Sequence, residues 1–277
     1  MLHDSEITEH IDVQGHRGAR AALPENTLAA FEYALALGVD TLEFDMGVSQ
    51  DGVVVVAHDQ KINPIICQYK NGNAVKDDLW IHQLTLQQIK EFDCGSKQNP
   101  RFKNQATIAG AEIPTLADVF ELVSTSGLAN AKTVLFNIET KSDPRYPHAQ
   151  PEPDEFVTAV YEVVREYGFE NRVTLQSFDH RTLLSAAQIA PALQRSALFS
   201  NAPDDWLEAA IAADAHIISP HHQLIDRRSV ATMQDEGLSV VPWTANSKRQ
   251  WSRLLKLGVD GIITDDPKAL LEYLGRS

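Results

Sequence analysis

A closed barrel of eight β/α units, the (β/α)8 fold, is what this sequence predicts, on three observations. From Val134 onward a short apolar, β-rich run alternates with a helical stretch six times. Upstream, two more strand-like runs flank another helical stretch. A length of 277 residues suits a fold that routinely takes about 250 as one unit.

The first strand is read at 11–17, IDVQGHR, and the second at 41–45, TLEFD. Between them NTLAAFEYALALG, 26–38, is helical, with Asn26 placed to cap its start and Gly38 its end. The rhythm then breaks. After Asp51-Gly52 a second β-run, GVVVVAHD, leads into a loop-rich stretch that ends near Ile113. With no linker on either side, 47–113 is read as a hairpin and insertion within a single domain spanning 1–277. The remaining strands are read at 134–139, 173–178, 195–200, 216–220, 239–243 and 261–265. Helices are read at 115–125, 153–167, 179–190, 203–213, 226–236, 246–257 and 267–274, each with a periodic apolar face. The right-handed crossover rule turns this order into a parallel barrel whose strands carry functional groups at their C-terminal ends.

With 43% hydrophobic and 22% charged residues, the composition is that of a packed globular protein. A formal charge of −14 and a pI near 5.1 argue against nucleic acid or an anionic membrane as partner. An anionic small-molecule substrate would need a local positive centre. MLHDSEITEH has neither a basic nor an apolar signal region, and no apolar run is long enough to span a bilayer. The chain as written is expected to be cytoplasmic, without stable membrane association, or periplasmic if a leader has been removed. Nothing in the sequence sets its oligomeric state. Cys67 and Cys94 form neither a disulfide framework nor a zinc pattern; two idle thiols are expected, with one bridge as the alternative.

Strand alternation puts Glu43 and Asp45 on one face of TLEFD, pointing into the barrel, and Leu42 and Phe44 on the other. In VLFNIETK it sends Asn137, Glu139 and Lys141 inward. Three carboxylates converging in a poorly solvated interior must be neutralised, and a bound cation does this. The donors are all oxygens, which favours Mg²⁺ or Ca²⁺ over Zn²⁺. A structural network of acids with Lys and Arg is the plainer alternative. If Asp51 and Gly52 make a two-residue hairpin loop, Asp45 falls opposite His58, with Cα atoms about 5 Å apart. His16 ends the first strand, so two imidazoles suited to acid and base work reach one site. Arg17 and Lys141 add fixed positive charge, which with a divalent cation leaves the site net positive toward a phosphodiester. The other histidines, His221 and His222 included, receive no role.

HRGARAALPENTLAAFEYAL, LEFDMGVSQDGVVVVAHD, NIETK, QSF, PWTAN and GIITDDP together closely resemble the glycerophosphodiester phosphodiesterases in order and spacing, over nearly the whole chain. HRG, PENT, E-x-D, DG and HD fall within about 45 residues, a highly specific combination. The resemblance implies a TIM barrel with an insertion after the second strand, and metal-dependent hydrolysis of glycerophosphodiesters to sn-glycerol 3-phosphate and an alcohol. By position it makes His16 and His58 the general acid and base, Glu43, Asp45 and Glu139 the ligands of one divalent cation, and Arg17 and Lys141 phosphate contacts. Trp243 resembles the aromatic wall of the substrate cleft, or else simply packs at a strand end. Glu25 orients the first loop or is a surface acid; Gln176 and Asp265 support the site from strand ends. Met46-Gly47 and Ala245 depart from the family's commoner residues without removing a charged group. A lysophospholipase D acting on lysophospholipids is the alternative, with INPIIC and LW in the insertion as its apolar ramp.

Overall fold

The structure, a computed structural model, describes residues 11–201 and 205–276. His3 and His10 lie outside these. Strand β1, Asp12–His16, leads into helix α1, Leu28–Leu37, and then to β2, Thr41–Val48. The hairpin partner β3, Val54–Val56, is followed by β4, Gln68–Tyr69, α2, Leu86–Ile89, and β5, Phe92–Asp93. The barrel resumes with α3, Leu116–Thr125, β6, Leu135–Thr140, α4, Pro153–Tyr167, and β7, Val173–Ser177. It continues through α5, His180–Ile189, β8, Gln194–Phe199, α6, Trp206–Ala212, β9, Ile217–Pro220, and α7, Arg227–Asp235. The last elements are β10, Ser239–Val240, α8, Lys248–Leu257, β11, Gly261–Thr264, and α9, Pro267–Tyr273.

Eight parallel strands run in the order β10-β9-β8-β7-β6-β2-β1-β11, as the β/α rhythm predicts. The strand read at 239–243 is paired as a strand only over Ser239–Val240. Pro242 is the reason: its nitrogen falls on the side facing β11 and has no hydrogen to give. Single bonds close the barrel there instead, from Asp260 N to Val240 O (3.0 Å) and from Ile263 N to Pro242 O (3.1 Å). Outward residues of the strands, among them Val13, Phe44, Phe136, Ile138, Leu175, Ile218 and Ile262, are buried against the helices. Phe120 of α3 meets Phe136 edge-on at 4.9 Å between centroids, a geometry that adds to the burial of both rings. No helix among the described residues is long and apolar enough to cross a membrane.

Three local expectations are corrected. Helix α1 is capped by Thr27, whose side chain accepts from Ala30 N (3.3 Å). Asn26 is left-handed, φ 57°, and turns its amide to the barrel mouth instead. Gly38, φ 82°, does end the helix. The hairpin register differs by one: Met46 pairs with Val56 and Val48 with Val54. Ser49 N donates to Val53 O, so the loop has three residues, Gln50, Asp51 and Gly52, with Gly52 left-handed at φ 81°. Ala57, not His58, therefore sits opposite Asp45, its N–H donating to the Asp45 carbonyl.

Cys67 and Cys94 are bonded to each other, not free. Gln68 pairs with Asp93 and Tyr69 with Phe92, and the same antiparallel register brings the two flanking cysteines together. Each strand is two residues long, too short to show as periodicity. Around the bridge Val55, Ile62, Ile81, Ile89, Phe92 and Ile113 form a second hydrophobic cluster, separate from the barrel's.

Candidate active site

The turn after β1 is built by sequence that allows little else. Gly18, φ 85°, lies so close to α1 that a Cβ there would come within 2.7 Å of the Ala30 carbonyl carbon. Arg17 itself is left-handed, φ 52°, and its carbonyl accepts from Asn26 N, so the HRG and PENT segments lock one another. This aims His16 into the barrel and leaves the Arg17 backbone N–H donating to Glu43 (3.1 Å).

His16 Nδ1 is 2.5 Å from Asp265 Oδ1, at the end of β11. Asp265 also accepts from Asn246 Nδ2 (2.7 Å) and is ion-paired with Arg20 (2.8 Å). Burial, with the charges of Arg17 and Arg20, pushes His16 down to about 4. Asp265 is held well below the usual carboxylate range: burial opposes this, and His16 and Arg20 outweigh it. At neutral pH the ring is therefore neutral. Its Nδ1–H is committed to Asp265, which leaves Nε2 as a free base 4.0 Å from Glu43. His58 follows the hairpin, and its Nδ1 lies 2.9 Å from Asp59 Oδ1, which leaves its Nε2 without a hydrogen bond among the described residues. The hairpin delivers the imidazole to the site despite the shifted register, because β3 ends at Val56 and the chain bends at His58.

Glu43, Asp45 and Glu139 converge, each offering an oxygen within 4.8 Å of the others, and all three are buried. Burial and then the neighbouring Asp45 and Glu139 push Glu43 well above the usual range. Burial raises Glu139 too, against the pull of Lys141. Asp45 is held well below its usual value, since Arg17, His58 and Lys141 outweigh burial. Lys141 Nζ lies 2.7 Å from Glu139 and 3.5 Å from Asp45, and Arg17 Nε 3.1 Å from Asp45. Asn26 Nδ2 donates to Asp45 (2.9 Å), and Gln176 Nε2 to Glu43 (2.7 Å). Three buried carboxylates, with Glu43 pushed up by burial and by its acidic neighbours, form an all-oxygen donor set that fits a hard divalent cation.

Besides these groups the cleft, about 280 Å³, is lined by Phe178, Leu198, Trp243 and Ile263. Trp243 Nε1 donates to Ser219 O (2.9 Å), and the ring meets Phe178 edge-on at 5.5 Å and His221 at 5.3 Å. Of the residues singled out by sequence, His16, Arg17, Glu43, His58, Glu139, Lys141, Gln176 and Trp243 line this cleft, while Asp45 is buried against Arg17 and Lys141, and Asp265 against His16. Glu25 is ion-paired with Arg17 and Arg20 rather than solvated. Residues the sequence reading missed are Asn26, Arg20, Arg101, Phe178 and His221. Parity carried past the strand ends would have found two of them, since Phe178 follows Gln176, and His221 follows Ser219, on the inward face. Arg101 reaches the cleft from the insertion, which no periodicity marks.

Known proteins bear on this arrangement. Residues 16–269 match the model of the glycerophosphoryl diester phosphodiesterase family. A glycerophosphodiester phosphodiesterase of Caldanaerobacter subterraneus is 34% identical over 95% of this chain and 97% of its own. One from Bacillus altitudinis is 29% identical over 91% and 93%. Among solved structures, a Silicibacter pomeroyi protein named for the same family superposes with a TM-score of 0.88 at 31% identity, covering 95% of this chain and 93% of that one. An Oleispira antarctica phosphodiesterase, in complex with the product sn-glycerol-3-phosphate, shares the fold with a TM-score of 0.79 at 24% identity over 97% and 98%. The chain belongs to the glycerophosphoryl diester phosphodiesterase family and is a phosphodiesterase acting on glycerophosphodiesters.

Proposed function

We propose that the chain, as one catalytic unit, hydrolyses glycerophosphodiesters to sn-glycerol 3-phosphate and an alcohol, using His16 and His58 as paired acid and base beside one divalent cation, Mg²⁺ or Ca²⁺. The observation that carries this is the pair of imidazoles. Each has Nδ1 against a carboxylate, Asp265 or Asp59, and each lines the same cleft as Glu43 and Glu139.

Glu43, Asp45 and Glu139 would hold the cation. Once bound, it supplies positive charge to the phosphoryl oxygens and acidity to a neighbouring hydroxyl. Arg17 and Lys141, now on Asp45 and Glu139, contact the phosphate. One histidine takes a proton from the glycerol hydroxyl next to the phosphoester, whose oxygen forms a new P–O bond. The other histidine gives a proton to the departing alcohol oxygen as the old P–O bond breaks. Water then opens the cyclic glycerol phosphate with the two roles exchanged. Trp243 and Phe178 pack the carbon skeleton against the far wall and keep bulk water from the reacting atoms.

One observation favours the lysophospholipase D reading: Ile65, in the insertion, is 56% exposed. A substrate panel separates the two. Incubation with glycerophosphocholine, glycerophosphoethanolamine and lysophosphatidylcholine is expected to release sn-glycerol 3-phosphate from the first two. Turnover of the lysolipid alone would overturn the reading in favour of the lipid substrate.

A further inference from the structure

Below the carboxylates the barrel is filled by a run of amides. Gln14 Nε2 donates to Asp12 Oδ2 (2.6 Å) near the N-terminal end of the strands. Asn137 Nδ2 donates both to Gln14 Oε1 (2.7 Å) and to Gln176 Oε1 (3.1 Å). Gln176 Nε2 then donates to Glu43 Oε1 (2.7 Å).

An ionised carboxylate, as Glu43 is once it holds the proposed cation, only accepts, and an amide has one accepting and one donating end. Asp12 at one terminus therefore turns the nitrogen of Gln14 outward and its oxygen inward. Glu43 does the same to Gln176 from the other terminus. Two amide oxygens are left facing Asn137, which must spend both its N–H groups on them. Its own oxygen is then stranded, and Asn137 Oδ1 is indeed buried without a hydrogen-bond partner among the described residues, in a residue 2% exposed. Turned over, Asn137 would set its oxygen against two others. The orphaned oxygen records a polarity imposed from both ends.

We propose that Gln14, Asn137 and Gln176 are positioning residues, a polarised relay anchored on Asp12 that holds Glu43 in place as a cation ligand, with Asn137 as the pivot. A fixed donor on Glu43 Oε1 sets the orientation of that carboxylate and keeps it an acceptor. The proposal rests on the cation site proposed above.

The test titrates the full-length protein, stripped of metal and without substrate, with Mg²⁺ and with Ca²⁺ alone, by calorimetry well below the melting temperature. In Asn137→Asp the pivot becomes an acceptor, so Gln176 turns over and presents oxygen to Glu43; affinity is expected to fall about 10- to 100-fold. Gln14→Met removes one link without adding charge, and a fall in the same direction is expected; it decides the matter if Asn137→Asp does not fold. Ser196→Ala, which breaks only the Ser196–Ser219 bond elsewhere in the barrel, should bind as wild type. Wild-type affinity in Gln14→Met, or in a folded Asn137→Asp, overturns the relay, as does an equal fall in Ser196→Ala. Glu43→Gln separates the two levels. If it weakens binding while the relay variants do not, the relay alone falls; if it binds as wild type, the cation site falls with it.

Discussion

Along β6 the outward Phe136 and Ile138 and the inward Asn137 and Glu139 are all buried, yet they sit in different surroundings. Phe136 packs on Phe120 and Phe169, while Asn137 donates to the amides of Gln14 and Gln176 and Glu139 accepts from Lys141. The same division holds on β2: Leu42 and Phe44 face the helices, Glu43 and Asp45 the interior. A TIM barrel is ordinarily filled by branched apolar side chains. Here the lining is polar from Asp12 through Gln14, Asn137 and Gln176 to the acids at the mouth. On β2 and β6 stability rests on one face and chemistry on the other, so the two should be separable by substitution.

The largest expected effect is on the inner face. Glu43→Gln or Glu139→Gln should abolish turnover by weakening cation binding, with partial recovery in excess Mg²⁺ or Ca²⁺. Wild-type kinetics in either variant would break the division. Next comes His58→Ala, expected to lower kcat about 10²- to 10⁴-fold with little change in cation affinity. If His58 is the acid, a phenolic leaving group should restore most of the rate, and His16→Ala should show the complementary pattern. On the outer face, Phe136→Ala should cost about 3–5 kcal/mol of stability, read from denaturant unfolding, while kcat per folded molecule stays near wild type. A loss of kcat without loss of stability would show that the faces are not independent.

The smallest effect concerns pH. Burial pushes Asp12 up to about 6, against the bonds it accepts from Gln14 and Thr41. The folded state therefore holds this proton more tightly than the unfolded chain does. That contribution is fully present below about pH 4 and is lost as pH rises through 6, on the order of 1–3 kcal/mol. Asp12→Asn should flatten this part of the stability profile; an unchanged slope between pH 4 and 7 would contradict the assignment.

The division was readable in advance because strand alternation has a period of two. It placed Glu43, Asp45, Glu139 and Lys141 on the inner face from spacing alone. What escaped depends on contacts distant in sequence. The pairing of Cys67 with Cys94 follows from a ladder of two residues per strand. Asn26 resembles a helix cap, yet its left-handed backbone turns it to Asp45. The one-residue shift in the hairpin arises because Gly52 at positive φ makes a three-residue loop as readily as a two-residue one. Arg101 comes from the insertion, whose path no periodicity predicts.

Metal-free protein tests the central claim most directly. After exhaustive chelation, release of sn-glycerol 3-phosphate from glycerophosphocholine is measured before and after adding back Mg²⁺ or Ca²⁺. Turnover should disappear on chelation and return with the cation. Undiminished release from the stripped enzyme would contradict the account, leaving Glu43, Asp45 and Glu139 as a structural network held by Arg17 and Lys141.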